Sequence, residues 1–304
     1  MAVVYVTREI VGGALERLRA AHDVTVWEKA EPPQPAELRA AVADAEGLLC
    51  MLADRVDQEL LDAAPRLRAV ANYAVGNDNI DLAAATARGI AVGVTPDVLT
   101  DATADLAFAL LLAAARNLPE AIAAVTAGEW STWEPKRWLG VDVHGATLGI
   151  VGFGRIGRAV ARRAEGFDMT VLATRETPLE ELLAQSDFVT LHCPLTAETR
   201  HLIDASALSL MKPTAILVNT ARGPIVDPLA LGAALRAGTI GGAALDVTDP
   251  EPMPPDDPLH GSPNLIVVPH IGSATHTARA RMTELAVNNL LAALAGLPMP
   301  NPVR

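Results

Sequence analysis

The residues Gly152-Phe153-Gly154-Arg155-Ile156-Gly157 carry the clearest chemical signal in this chain of 304 residues. A bare GxGxxG arises by chance in glycine-rich loops. Here it follows the apolar run Leu148–Val151 and opens the helix-like stretch Arg158–Glu165, the context that a phosphate-binding turn demands. Gly152 permits the tight turn, Gly154 lets backbone approach a pyrophosphate, and Gly157 lets helix and strand pack closely. The helix N-terminus supplies amide donors and a partial positive charge for the phosphates. The turn therefore predicts a dinucleotide site.

The end of the next strand decides which dinucleotide. A free ribose hydroxyl calls for an acid ~20 residues beyond the first glycine. At that distance the chain has Thr174, 22 residues beyond Gly152, followed by Arg175 and Glu176. A neutral hydroxyl followed by arginine suits a 2′-phosphate, whereas Glu176 in the same pocket would repel it. The balance favours NADP(H) over NAD(H).

Three further segments place polar or charged residues after strand-like runs. They are Asn219-Thr220-Ala221-Arg222-Gly223, the stretch from Asp246 to Pro252 that contains Glu251, and Pro269-His270-Ile271-Gly272-Ser273. In an open α/β sheet the carboxyl ends of the strands form the ligand crevice. Arg222, Glu251 and His270 are therefore expected to converge beside the dinucleotide.

Those residues need a frame, and the sequence supplies one by alternation. Candidate strands in the first third are 3–6, 24–27, 48–51, 69–72 and 90–94, separated by amphipathic stretches at 35–43, 58–64 and 80–88. A second series follows Gly145, with candidate strands 147–151, 170–173, 188–192, 215–219, 242–247 and 265–268. Strands alternating with helices at this spacing predict βαβ units and parallel sheets, hence two α/β domains. Thr177-Pro178-Leu179-Glu180 and Asp227-Pro228 read as capped helix starts. The stretch 100–126 reads as one or two helices, apolar enough to be buried in the fold or against a partner subunit. The loop 128–140 after it holds three of the four tryptophans, Trp130, Trp133 and Trp138.

Composition excludes several classes. Half the residues are hydrophobic and 3% aromatic, so aliphatic side chains must fill the cores. The formal charge of -12 argues against a nucleic-acid or membrane-surface footprint, though local arginines can hold a small anion. The longest apolar run, 106–115, is far short of the roughly 18 residues of a membrane span. No signal peptide is evident at the N-terminus. The two cysteines, Cys50 and Cys193, make no CxxC, which fits a reducing compartment and the cytoplasm. The other histidines (His22, His144, His192, His201, His260, His276) lack ligand spacing, and no metal site is expected.

Taken together, these segments resemble the D-isomer-specific 2-hydroxyacid dehydrogenase family, most closely its glyoxylate/hydroxypyruvate reductase and glycerate dehydrogenase branch. The resemblance also rests on Asn72-Tyr73-Ala74-Val75-Gly76-Asn77-Asp78-Asn79-Ile80-Asp81, the helix 100–116 and Leu191-His192-Cys193-Pro194-Leu195-Thr196. It implies a doubly wound dinucleotide-binding domain (99–276) and a smaller flavodoxin-like substrate domain (1–98, completed by 277–304). The cleft would lie between them and close by hinging. It also implies reduction of a small anionic 2-keto acid, glyoxylate or hydroxypyruvate, to the D-2-hydroxy acid.

The resemblance further implies roles. Arg222 would grip the substrate carboxylate, His270 would be the general acid, and Glu251 would orient the imidazole. Ala74 and the backbone amides of Val75 and Gly76 would help bind the carboxylate, with the side-chain pocket around Met51 and Leu52. Thr103, Gly152, Gly154, Arg155, Ile156, Gly157, Thr174, Arg175, Cys193, Pro194, Thr199, Thr220, Ala221, Asp246 and Gly272 would line the cofactor site. A homodimer through the helix and loop 100–140 is implied, with Trp138 reaching the partner's active site. Two other branches stay open, D-3-phosphoglycerate dehydrogenase and a non-catalytic, dinucleotide-sensing corepressor. In one place the chain departs from the family. Relatives have roughly ten more residues after the strand ending at Thr174-Arg175, often including another short strand.

Overall fold

The structure is a computed structural model and describes residues 1–303. It divides into two compact units, Met1–Leu99 with Ala274–Arg304, and Thr100–Ser273. The breaks differ from the expected ones at 98/99 and 276/277. The second moves because Thr275 caps a helix of the first unit, its hydroxyl accepting from the Ala278 amide at 3.1 Å, and a cap belongs with its helix.

The first unit alternates β1 (Val3–Val6), α1 (Ala14–Ala21), β2 (Asp23–Val26), α2 (Pro35–Ala41), β3 (Gly47–Cys50), α3 (Gln58–Ala63), β4 (Ala69–Asn72), α4 (Leu82–Ala87) and β5 (Ala91–Gly93). All strands are parallel, in the order β2-β1-β3-β4-β5. Residues of β3 and β4 are buried throughout, which is why they read as unbroken apolar runs rather than as alternation. Asp57 and Asp81 cap α3 and α4, their carboxylates accepting from the amides of Leu60 and Ala84.

The second unit opens with α5 (Thr100–Ala115) and α6 (Leu118–Thr126). Then follow β6 (Thr147–Val151), α7 (Arg155–Glu165), β7 (Thr170–Ala173), α8 (Leu179–Gln185), β8 (Phe188–Leu191), α9 (Ala205–Leu210), β9 (Ile216–Asn219), α10 (Pro228–Ala237), β10 (Gly242–Leu245) and β11 (Leu265–Val267). Its six-stranded parallel sheet runs β11-β10-β9-β8-β6-β7. Strand order reverses at β6, so a crevice opens beyond its carboxyl end. Helix α5 is buried within its own unit, packing Ala104, Ala107, Phe108 and Leu111 against α7, β9 and β10. Its continuous apolar character is thereby explained without a partner.

The chain then returns to the first unit as α11 (His276–Leu294), which packs on α1, β3 and β4. The core is aliphatic; Phe188 is the largest fully buried side chain, and its truncation to alanine would cost about 3–5 kcal/mol. Asp227 caps α10 as expected, accepting from the amides of Leu229 and Ala230. At α8 the expectation shifts by one residue: Pro178, not Thr177, takes the cap position, without a side-chain cap. Proline's fixed φ serves there, but it leaves Thr177 outside the helix. Among the described residues no single helix is long and apolar enough to cross a membrane; α5 and α6 together would be, but they are bent by 65°.

Candidate active site

Every parallel strand of the second sheet delivers its carboxyl end to one edge, and the predicted chemistry lies there. After β6 comes the glycine turn, with Gly152 at φ +94°, a conformation that glycine alone adopts freely. A Cβ at Gly152 would lie 2.4 Å from the Cys193 amide nitrogen, and one at Gly157 would lie 2.3 Å from the Gly152 carbonyl. Both glycines are thus required by close backbone packing. At Gly154 a Cβ would meet nothing within 4 Å, so this turn faces open space at the N-terminus of α7. Such an arrangement fits a pyrophosphate: bare backbone, helix amides and room.

The turn is braced from behind. The Thr174 hydroxyl accepts from the Gly152 amide at 3.0 Å, so Thr174 supports the cradle and keeps its own O–H proton for a further partner. Arg175 and Glu176 are both exposed. Strand β7 runs almost directly into α8, and β7 forms the edge of the sheet. Among the described residues no strand lies outside it, which is the structural form of the shortened segment.

After β8, the Thr190 hydroxyl lies 2.9 Å from His192 Nε2, and the Thr220 hydroxyl 3.5 Å from its Nδ1. Burial pushes the His192 imidazole down to about 3, so it is a neutral strut between two loops. Burial also raises Cys193, keeping its thiol protonated. Thr199 accepts from the Thr196 amide at 2.8 Å and donates to the Pro194 carbonyl at 2.7 Å, closing the loop 194–199 on itself.

Asn219 closes β9 with its buried amide: Oδ1 accepts from the Ala221 amide at 3.0 Å, and Nδ2 donates to the Arg222 carbonyl at 2.8 Å. These bonds curl Thr220-Ala221-Arg222 into a fixed loop. Gly223 then lies against Thr248, where a Cβ would come within 1.8 Å of the Thr248 carbonyl oxygen. The loop bearing Arg222 is thereby pressed onto the loop bearing Glu251. Neither Asn219 nor Gly223 stood among the expected site residues; a polar residue ending an apolar strand and a glycine after the arginine were the signals available.

The third loop carries the chemistry. His270 Nδ1 lies 2.5 Å from Glu251 Oε1, and Glu251 Oε2 accepts from the Thr248 amide at 3.4 Å. His270 itself stands at φ +53°. For a residue other than glycine this left-handed backbone costs on the order of 1–3 kcal/mol and needs support. Asp246 provides it: its carboxylate accepts from the amides of Ile271 at 2.6 Å and Gly272 at 2.8 Å, and its carbonyl accepts from the His270 amide at 2.9 Å. Burial raises the Asp246 carboxyl, while those amides and the His270 charge oppose the rise. Thr103, reaching in from α5, donates to the Gly272 carbonyl at 3.2 Å. Asp246, Thr103 and Gly272, expected along the cofactor, therefore form the brace under the histidine loop.

Other expected residues take different places. Met51, Leu52, Ala74, Val75 and Gly76 belong to the first unit. Their loops, after β3 and β4, are tied together by two asparagines of the motif 72–81 to which the sequence reading gave no role. Asn72 Nδ2 donates to the Gly76 carbonyl at 2.8 Å, and Asn79 Nδ2 to the carbonyls of Met51 at 3.1 Å and Asp54 at 3.0 Å. Trp138 is half-buried at φ +56° with the Arg137 guanidinium 4.3 Å over its ring, while Trp130 and Trp133 are the exposed tryptophans of that loop. Among the described residues no group of three or more His, Cys, Asp or Glu could hold a metal ion.

A parallel sheet with a glycine turn at its switch point and an acid–imidazole pair on the same edge defines a dinucleotide-dependent oxidoreductase unit. Comparison with known proteins makes the class specific. Residues 108–272 match the NAD-binding domain of the D-isomer-specific 2-hydroxyacid dehydrogenases. A glyoxylate reductase of Korarchaeum cryptofilum is 49% identical over 99% of this chain and 95% of its own length. One from Thermococcus onnurineus is 50% identical over 95% of this chain and 92% of its own. Among solved structures, a protein from Thermus thermophilus superposes with a TM-score of 0.94 at 51% identity, covering 99% of this chain and all of its own. An NADPH-dependent glyoxylate/hydroxypyruvate reductase from Sinorhizobium meliloti, solved with NADP and malonate, gives a TM-score of 0.87 at 36% identity over 99% of this chain and 96% of its own. The chain belongs to the D-isomer-specific 2-hydroxyacid dehydrogenase family. It is a nicotinamide-dinucleotide-dependent oxidoreductase built from two α/β units.

Proposed function

We propose that this chain reduces glyoxylate or hydroxypyruvate to the D-2-hydroxy acid, with His270 as general acid. The observation that carries this reading is the 2.5 Å contact between His270 Nδ1 and Glu251, on the sheet edge that also bears the glycine turn. The near-50% relatives named for the glyoxylate reaction support the choice of substrate. When bound, the reduced nicotinamide supplies the hydride. The turn 152–157 would hold the pyrophosphate on its amides, with Arg155 and Ile156 opening the helix, and Cys193, Pro194, Thr199, Thr220 and Ala221 would line the remainder.

Glu251 at Nδ1 fixes the imidazole tautomer and orientation and stabilises its charged form. Nε2 is then the nitrogen that carries the transferable proton. It gives that proton to the carbonyl oxygen as C2 is reduced, and it takes the hydroxyl proton in the reverse direction. Arg222 would pair with the substrate carboxylate through two parallel N–H donors. The amides after Ala74, at Val75 and Gly76, would give further donors to that carboxylate, and Met51 and Leu52 would border the C3 substituent.

NADPH is the preferred reductant in this reading, supported by the neutral Thr174 followed by exposed Arg175 and by the absence of an acid at position 174. The exposed apolar side chains Ile122, Val125 and Leu139, with Trp130 and Trp133, support a homodimer through residues 100–140, with Trp138 directed to the partner's active site. Free thiols at Cys50 and Cys193 fit a reducing compartment such as the cytoplasm. The test is a panel of 2-keto acids assayed with NADH and NADPH in parallel. Oxidation of NADPH confined to glyoxylate and hydroxypyruvate is expected; turnover of neither compound would overturn the reading.

A further inference from the structure

The first unit has a switch point of its own. In its sheet the order reverses between β1 and β3, and in such a sheet the crevice beyond those two carboxyl ends is where a ligand sits. A pocket of about 610 Å³ lies there, walled by Arg8 after β1, Met51 and Leu52 after β3, Tyr73 after β4, and Thr275 and Arg279 at the start of α11. That volume is in the range of small-molecule sites.

Its electrostatics select the ligand. The half-buried Arg279 guanidinium lies 6.0 Å over the Tyr73 ring and makes no ion pair among the described residues. Arg8 donates to the Thr7 carbonyl at 2.7 Å, and it too has no ion-pair partner there. The nearest buried acid, Asp54, accepts from the Thr7 hydroxyl and from the Met51 amide at 2.7 Å, so its oxygens serve the loop. Glu9 also borders the pocket but is exposed and pairs with neither arginine. The N-terminus of the 19-residue α11 opens on the same wall, adding a partial positive charge. The walls are locked together: the Tyr73 hydroxyl donates to the Arg279 carbonyl at 2.5 Å, and Thr283 Oγ1 lies 2.6 Å from the Val11 carbonyl. Two guanidiniums in a formed pocket that make no salt bridge among the described residues, only Arg8 lying within Coulomb reach of Asp54, indicate an anion.

We propose that this pocket is an anion subsite that takes a carboxylate or phosphate group between Arg8 and Arg279. The group has two sources: the second acid of a dianionic 2-keto acid, which rests on the keto-acid reduction proposed above, or a separate small anion, which does not.

The experiment titrates the full-length protein, saturated with NADP+ so that the glycine turn is blocked, with inorganic phosphate by calorimetry. In parallel, kcat/KM is measured for glyoxylate and for oxaloacetate. Arg8→Met and Arg279→Met are expected to weaken phosphate binding about tenfold or more, and Arg279→Lys to retain most of it, with glyoxylate kcat/KM within about twofold of the parent. A matching loss of oxaloacetate kcat/KM assigns the pocket to the substrate's second acid. Unchanged oxaloacetate kinetics assign it to a separate anion. No saturable phosphate binding, or an affinity in both methionine variants unchanged from the parent, would overturn the proposal. Absent glyoxylate turnover in the parent would count only against the function, because the phosphate titration needs no catalysis.

Discussion

The two units wind their sheets identically. Counted from its own first strand, each runs 2-1-3-4-5, and the second adds one more strand at the far end. What differs is the turn after the first strand. In the second unit that turn is Gly152 to Gly157, and its donors are backbone amides. In the first unit it is Thr7-Arg8-Glu9, and its donors are side chains. Amides at a helix start recognise a pyrophosphate by close approach, which only glycine permits. Guanidiniums recognise a carboxylate or phosphate group at the end of a long side chain, and no glycine is needed. One topology thus presents two kinds of anion recognition, and a few residues at the switch point decide which.

The largest effect expected on this comparison is at the edge of the second sheet. His270→Ala removes the proton donor, and keto-acid turnover should fall about 10²–10⁴-fold while NADPH affinity stays within a few-fold. Stopped-flow turnover and fluorescence titration read the two separately; a parallel loss of cofactor binding would show that the acid pair and the glycine turn are not independent. Next is Gly152→Ala, which meets both a positive φ and the Cys193 amide. It should destabilise the second unit by about 1–3 kcal/mol and abolish dinucleotide binding, as read by thermal melting with and without NADPH.

Smaller effects refine the picture. Asp246→Asn presents an amide N–H to a backbone N–H where a carboxylate accepted two. The His270 loop should shift and kcat should fall on the order of tenfold, with KM for NADPH little changed. If KM for NADPH rises instead, Asp246 acts on the cofactor and not on the histidine. Arg175→Ala should narrow the ratio of NADPH to NADH efficiency about tenfold, and an unchanged ratio would remove Arg175 from the 2′-phosphate reading.

The smallest prediction concerns acid stability. The folded state holds His192 near 3 against an ordinary 6.5. Between those values the unfolded chain binds the extra proton, so His192 lowers stability as pH falls from about 6.5 toward 3. A His192→Gln variant should lose one proton's worth of slope from the stability–pH profile in that window. Denaturant melts at several pH values measure it, and an unaltered slope would mean that the ring is hydrated.

Much of this was legible beforehand because the signals were local. Most strands of both sheets are short apolar runs visible in the sequence, β2 with its alternating Asp-Val-Thr-Val being an exception, and Gly152 to Gly157 announces itself through the strand before it and the helix after it. The strand ends placed the histidine and glutamate on one edge of the sheet, but their hydrogen-bonded pairing came only through resemblance, since 19 residues separate them and no periodicity links loops. Helix α1 was not among the expected elements, being only eight residues long. Asn219, Gly223, Asn72 and Asn79 stood within the sequence motifs, but their roles were invisible for another reason. Their function is to bend loops by hydrogen bonds to backbone, or to let two backbones touch, and those partners exist only after the chain has folded. The role of Asp246 shows the same limit: its position was read, but its use as a support for His270 depends on a backbone angle that no sequence pattern displays.

The first unit is assembled from chain on both sides of the second in sequence. Its sheet is completed by a return of the chain, in which Gly93 bridges Pro302, the Asn289 amide donates to the Val94 carbonyl at 3.0 Å and α11 covers β3 and β4. During synthesis, residues 1–99 must therefore wait on the ribosome, their sheet uncovered, until all of residues 100–273 have emerged and the closing helix follows. The dinucleotide-binding unit is contiguous and needs no such wait. The nascent protein can thus acquire its glycine cradle while the sheet of the other unit is still exposed, the stage at which a folding chain is most open to aggregation.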